Sequence, residues 1–100
     1  MRLESKFQSS LKNKIQTMMP DAVILKNDPT YKQGIPDLII LNHGRYAALE
    51  CKRSENAHHQ PNQDYYIDIL GNGGYASFVY PENEVEVLNQ LRSYFGKGDQ

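Results

Sequence analysis

An α/β fold built on a mixed four-stranded sheet is predicted by three features of the sequence. Apolar residues recur at helical spacing near both ends, two short apolar runs flank a tight polar turn in the middle, and a further helix and strand follow them.

Leu3, Phe7, Leu11, Ile15 and Met18 or Met19 recur at four-residue steps with Lys6, Lys12, Lys14 and Gln16 between them, so Leu3 to Met19 is one amphipathic helix. Pro20 and Asp21 end it, because proline lacks the amide donor and pushes the residue before it out of helical geometry. Ala22 to Lys26 reads as a short strand, and Asn27 to Gly34, with its Asn, Asp, Pro and Gly, as a loop. Asp37 to Leu41 and Arg45 to Cys51 form a β-hairpin around Asn42, His43 and Gly44. With a two-residue His43-Gly44 loop, Asn42 faces Arg45 and Asp37 falls opposite Glu50. A three-residue loop would shift the register by one and could turn one carboxylate to the other face. Pro61 opens a helix to about Leu70 that buries Tyr66, Ile67 and Leu70, and Gly71, Asn72, Gly73 and Gly74 stop it. Tyr75 to Tyr80 is an aromatic, β-branched strand closed by Pro81. A last helix from about Glu82 to Phe95 buries Val85, Leu88, Leu91 and Phe95 and exposes Glu82, Glu86 and Arg92, and the tail Gly96 to Gln100 frays. A three-strand meander followed by a helical crossover makes a mixed sheet with helices packed on it.

Composition bounds the function. One hundred residues, 39 % of them hydrophobic, suffice for one core, so residues 1–100 are expected to form a single domain. No apolar run exceeds four residues, as in Leu38 to Leu41, against the roughly 18 to 20 that a membrane span needs. Met1 to Ser10 lacks the apolar stretch of a signal peptide, so a cytosolic location is expected. Eleven basic against 12 acidic residues exclude binding of nucleic acid by bulk charge. The charge is nevertheless uneven: residues 1–58 hold nine Lys or Arg against six Asp or Glu, and residues 59–100 hold two against six. That split fits one cationic edge able to approach a phosphate backbone. A single cysteine, Cys51, excludes an internal disulfide, and with His43, His58 and His59 but no second cysteine it does not make a structural zinc site. Gly71 to Gly74 lacks the Lys-Ser or Lys-Thr of a nucleotide-binding loop, and no small-molecule cofactor is implied.

The chemistry-bearing residues sit on the hairpin. Directly cross-strand, the β-carbons of Asp37 and Glu50 lie about 4.5 to 5.5 Å apart, where like charges destabilise a sheet. A hard divalent cation offsets this, and Mg²⁺ is commonly held by one or two carboxylates with water and substrate phosphate completing its shell. Lys52, two residues after Glu50, shares its face and puts an amine within reach of a phosphate or an attacking water. Plainer readings are that Asp37 is a turn residue after Pro36, and that Glu50 and Lys52 form an exposed strand ion pair worth little energy.

Gly34-Ile35-Pro36-Asp37, followed thirteen residues later by Glu50-Cys51-Lys52, resembles the PD-(D/E)xK nuclease signature. The element order resembles the restriction-endonuclease-like αβββαβ core of that superfamily with an extra C-terminal helix. Within it the chain is most similar to compact VRR-NUC nucleases of phage and bacteria, resembling Holliday junction resolvases, and the likeness runs from Glu4 to Phe95. The resemblance implies a Mg²⁺- or Mn²⁺-dependent endonuclease acting on DNA, with Asp37, Glu50, Lys52 and Gln63 as catalytic residues. Gln63 comes from the run His59 to Tyr66, which resembles the segment where the family places a glutamine at the start of a helix. The metal would be held by Asp37, Glu50 and a main-chain carbonyl near Cys51, with Glu4 of the first helix joining its shell. It would activate a water and polarise the phosphoryl oxygen. Lys52 would orient that water or stabilise growing charge, the second role being favoured beside carboxylates, and Gln63 would hold Lys52 or the water. Products would carry a 5′-phosphate and a 3′-hydroxyl.

Lys26, Lys32, Arg45 and Arg53 are expected to flank this site and, with His58, to contact DNA phosphates. Four-way junctions or flaps are the expected substrates. Cutting both strands of a junction needs two copies, so a C2 homodimer is expected, joined through the apolar face of the last helix or the Tyr-rich surface near it. The resemblance places the protein in a bacterial cytoplasm, with a phage origin compatible. Two other expectations stand beside this one: a DNA-binding module that does not cut, and a nuclease subunit active only inside a larger assembly.

Overall fold

The computed structural model describes residues 3–28 and 33–96, without the side chains of Leu3 and Glu4. Helix α1 (Leu3–Met18) leads into strand β1 (Val23–Lys26), then the hairpin β2 (Leu38–Asn42) and β3 (Arg45–Cys51). Helix α2 (Pro61–Gly73) crosses over to β4 (Tyr75–Val79), and a single 3₁₀ turn, Pro81–Asn83, opens onto α3 (Glu84–Gly96). The strands lie in the order β1-β2-β3-β4, antiparallel across the first three and parallel between β3 and β4. This is the meander and crossover expected from the element order. Among the described residues, no helix is long and apolar enough to cross a membrane.

Turn chemistry sets the hairpin register. His43 and Gly44 both adopt positive φ, 51° and 74°, the requirement of the two-residue turn whose twist matches that of paired strands. Asn42 therefore pairs with Arg45 and Leu38 with Leu49, and one step further along the same register brings Asp37 opposite Glu50. The three-residue alternative is excluded.

One sheet face carries the core. Leu38, Ile40, Ala47, Leu49, Cys51 and Val79 meet Leu11 and Ile15 of α1 and Val87, Leu91 and Phe95 of α3. On the other face α2 lies over β3 and β4, where the Tyr46 hydroxyl donates to the Leu70 carbonyl at 2.6 Å.

Three expectations change. Val85 is not in the core but 72 % exposed: at 100° per residue it lies on the side of α3 opposite Val87, and the buried stripe runs through Val87, Leu91 and Phe95 with Leu88 partly buried. That stripe is spent on the molecule's own core, so it does not offer a second copy an apolar face. Helix α2 runs to Gly73 and does not stop at Leu70, since packing on β3 and β4 offsets a helix penalty of about 1 kcal/mol per glycine. It covers only half of the sheet, and Tyr66, Ile67 and Leu70 are half-buried, not buried.

Candidate active site

The end of β3, the residue before β2 and the first turn of α2 converge. Asp37 is anchored twice: its carbonyl accepts the Asn27 amide at 2.8 Å, and its Oδ2 accepts the Cys51 amide at 2.9 Å. The carboxylate is thereby fixed beside the β3 main chain, one residue from Glu50. Alternation along β3 sends the Cys51 side chain into the core and Glu50 to the opposite face. Lys52 follows β3, its amide still bonded to the Val79 carbonyl at 2.8 Å.

Glu50 is 4 % and Lys52 7 % exposed. An exposed strand ion pair is therefore excluded, and a buried carboxylate and amine of this kind demand hydrogen-bond partners. Gln63 supplies partners to both. Its Nε2 donates to Glu50 Oε2 at 3.0 Å, and its Oε1 accepts from Lys52 Nζ at 2.7 Å. The same Oε1 accepts the Gln60 amide at 2.9 Å, half of a capping box that starts α2. A second acceptor for Lys52 Nζ, the His58 carbonyl, lies at 3.0 Å.

Among the described residues, no three His, Cys, Asp or Glu side chains cluster as a metal cage. The donors present are the carboxylates of Asp37 and Glu50 and the neighbouring Cys51 main chain, all hard oxygen, with the thiol turned into the core. That set suits Mg²⁺ or Mn²⁺, which fill their remaining positions with water and phosphate, and does not suit zinc.

The chain matches no protein-family model and no curated protein by sequence. Its structure does find counterparts. A solved VRR_NUC domain protein superposes with a TM-score of 0.72 at 20 % identity, covering 96 % of this chain and 90 % of that one. A solved VRR_NUC domain superposes with a TM-score of 0.70 at 20 % identity, covering 95 % and 99 %. The fold is that of the VRR-NUC domain.

Within this VRR-NUC fold the other expected site residues divide. Lys26 pairs with Leu38 at the site end of β1 and is exposed, as is Arg53 next to Lys52. His58 is exposed too, but the atom it brings to the site is its carbonyl. Arg45 does not flank the site. It opens β3 at the hairpin turn, five residues from Glu50 and so about 17 Å away at about 3.4 Å per strand residue, with its guanidinium over the Tyr94 ring and 3.4 Å from the Tyr94 carbonyl. Glu4 is the second residue of α1, but its side chain, like the whole of Lys32, lies outside the described residues.

One structural neighbour of the site has no sequence signal beyond its place next to Gln63. Asn62 Nδ2 donates to the Gln33 carbonyl at 3.0 Å, tying α2 to the loop that leads to Asp37. Gly34 makes that approach feasible. Its φ is +91°, and a β-carbon there would lie 2.7 Å from Asn62 Cγ. Gly34→Ala is expected to destabilise the fold by about 1 to 3 kcal/mol, from positive-φ strain plus displacement of Asn62. Urea denaturation measures it, and adding Asn62→Ala should restore only part of the loss, because the backbone strain remains.

Proposed function

We propose that the protein is a Mg²⁺- or Mn²⁺-dependent endonuclease that hydrolyses DNA phosphodiester bonds, with branched DNA such as four-way junctions or flaps as its substrate. The observation that carries this reading is the buried Glu50 and Lys52 joined through Gln63, with the Asp37 carboxylate held beside them on the Cys51 amide. An idle fold has no reason to keep a carboxylate and an amine out of water at this cost.

Asp37, Glu50 and the Cys51 carbonyl are the groups that would hold the ion. When bound, the ion supplies Lewis-acid stabilisation of the phosphoryl oxygen and a more acidic water. The remaining roles belong to the chain. An ammonium has three donors, and two of those on Lys52 go to Gln63 Oε1 and the His58 carbonyl. The third would serve a non-bridging oxygen or the attacking water, where charge grows in the transition state. Gln63 holds the amine and orients Glu50 through its other end. Lys26 and Arg53, exposed at the same end of the sheet, offer charge to flanking phosphates. One such site per chain cuts one strand, so symmetric resolution of a junction calls for a homodimer.

The test is a panel of end-labelled duplex, nicked, flap and four-way DNA incubated with Mg²⁺, Mn²⁺ or EDTA. Cleavage of the branched substrates with either metal, none in EDTA, and ligatable 3′-hydroxyl ends are expected. Equal cutting of all four substrates would remove the branched-DNA assignment. Binding of all four with no metal-dependent cutting would leave a non-cleaving module.

A further inference from the structure

Between the two backbone atoms that serve the site stands a side chain with two partners of its own, one on the sheet and one on α2. His59 follows His58, whose carbonyl takes Lys52 Nζ at 3.0 Å, and precedes Gln60, whose amide donates to Gln63 Oε1 at 2.9 Å. Its ring is stacked on Phe78, with centroids 4.0 Å apart and planes 21° from parallel. Its Nδ1 lies 3.1 Å from Asp64 Oδ1. Phe78 is the β4 partner of Glu50, and Asp64 is the residue after Gln63. The ring is thus clamped to the sheet next to one member of the site and to the helix next to another.

The loop around it is weakly held. Arg53, Glu55, Asn56, His58 and Gln60 are exposed, and within the loop the Ala57 amide donates to the Ser54 carbonyl at 3.2 Å. Beyond its own 3.0 Å bond to Lys52 Nζ, the His58 carbonyl depends on its neighbours in the loop to stay aimed at the buried amine. An ionised carboxylate only accepts, so Asp64 takes the Nδ1 hydrogen and sets the ring's orientation, while Phe78 sets its plane.

We propose that His59 is a positioning residue: its ring, clamped between Phe78 and Asp64, holds residues 58–60 so that the His58 carbonyl aims Lys52. The effect on cleavage rests on the nuclease reading of the site. The effect on the Lys52 amine does not.

The experiment compares wild type, His59→Ala, which loses stack and hydrogen bond, and His59→Phe, which keeps the stack. The ¹⁵N-resolved NMR signal of Lys52 Nζ is recorded without DNA or metal, and cleavage kinetics are measured on the best substrate, with thermal melts to confirm folding. In wild type the Nζ signal is expected to be sharp, because its hydrogens are held. In His59→Ala it should broaden beyond detection, and kcat should fall by about 10- to 100-fold at unchanged KM, the scale of a misplaced catalytic group. His59→Phe should recover part of both. An Nζ signal and kcat unchanged in a folded His59→Ala would overturn the proposal, as would a raised KM at unchanged kcat, which would make His59 a DNA contact. Should the wild type cut nothing, the Nζ signal alone decides, an unchanged signal in a folded His59→Ala overturning the proposal, and should His59→Ala not fold, His59→Leu, which lacks both the aromatic stack and the hydrogen bond, takes its place with the same expected losses.

Discussion

Asp37→Asn is expected to abolish binding of Mn²⁺ and to lower metal-dependent cleavage by about 10³-fold or more, the several kcal/mol that a bound ion contributes at a phosphoryl centre. The substitution is chosen for what it keeps. Asparagine retains an oxygen for the Cys51 amide that Asp37 Oδ2 accepts at 2.9 Å, and the Asn27 amide bonds to the main chain and not to the side chain. The end of the hairpin should therefore survive while the charge is lost. Isothermal titration with Mn²⁺ reads the first effect and single-turnover cleavage the second. A variant that binds Mn²⁺ as wild type does would take Asp37 out of the metal shell.

Lys52→Met is expected to cost about 10²- to 10³-fold in kcat with little change in KM, since the amine is placed to meet charge that appears only in the transition state. The cap of α2 should survive it. Gln63 Oε1 keeps the Gln60 amide after the lysine is gone, and the methionine fills the stem's apolar space. The His58 carbonyl loses a partner and the buried Glu50 its neighbouring positive charge, an expected loss of about 3 to 5 kcal/mol that urea denaturation measures. A rise in KM at unchanged kcat would instead make Lys52 a DNA-binding residue.

The hairpin and its carboxylates were legible because their determinants are local. Alternation fixes which β3 side chains share a face, and a His-Gly pair able to take positive φ fixes the register that brings Asp37 opposite Glu50. Gln63 was reached through resemblance to a family motif, and its physical reason, a helix cap shared with two buried charged groups, needs the tertiary fold. Asn62 and His59 had no such signal. What distinguishes them is whom they touch, Gln33 in one case and Phe78 with Asp64 in the other, and neither contact follows from spacing. The phase of α3 misled for a related reason: Val85 and Val87 are equally apolar, and the 3₁₀ turn at Pro81–Asn83 together with contact to the sheet decides which is covered. Arg45 read as near the site because sequence distance to Glu50 is short, whereas an extended strand makes five residues a long way.

Gln63 belongs to the start of α2 and to the Glu50–Lys52 pair through one side-chain oxygen, Oε1, which takes the Gln60 amide and Lys52 Nζ together while Nε2 holds Glu50. Fraying of that first helical turn and dismantling of the charged pair are consequently one event. Deuterium uptake at the Gln60 amide would count how often it happens, giving a clock for the competent arrangement that needs neither substrate nor ion.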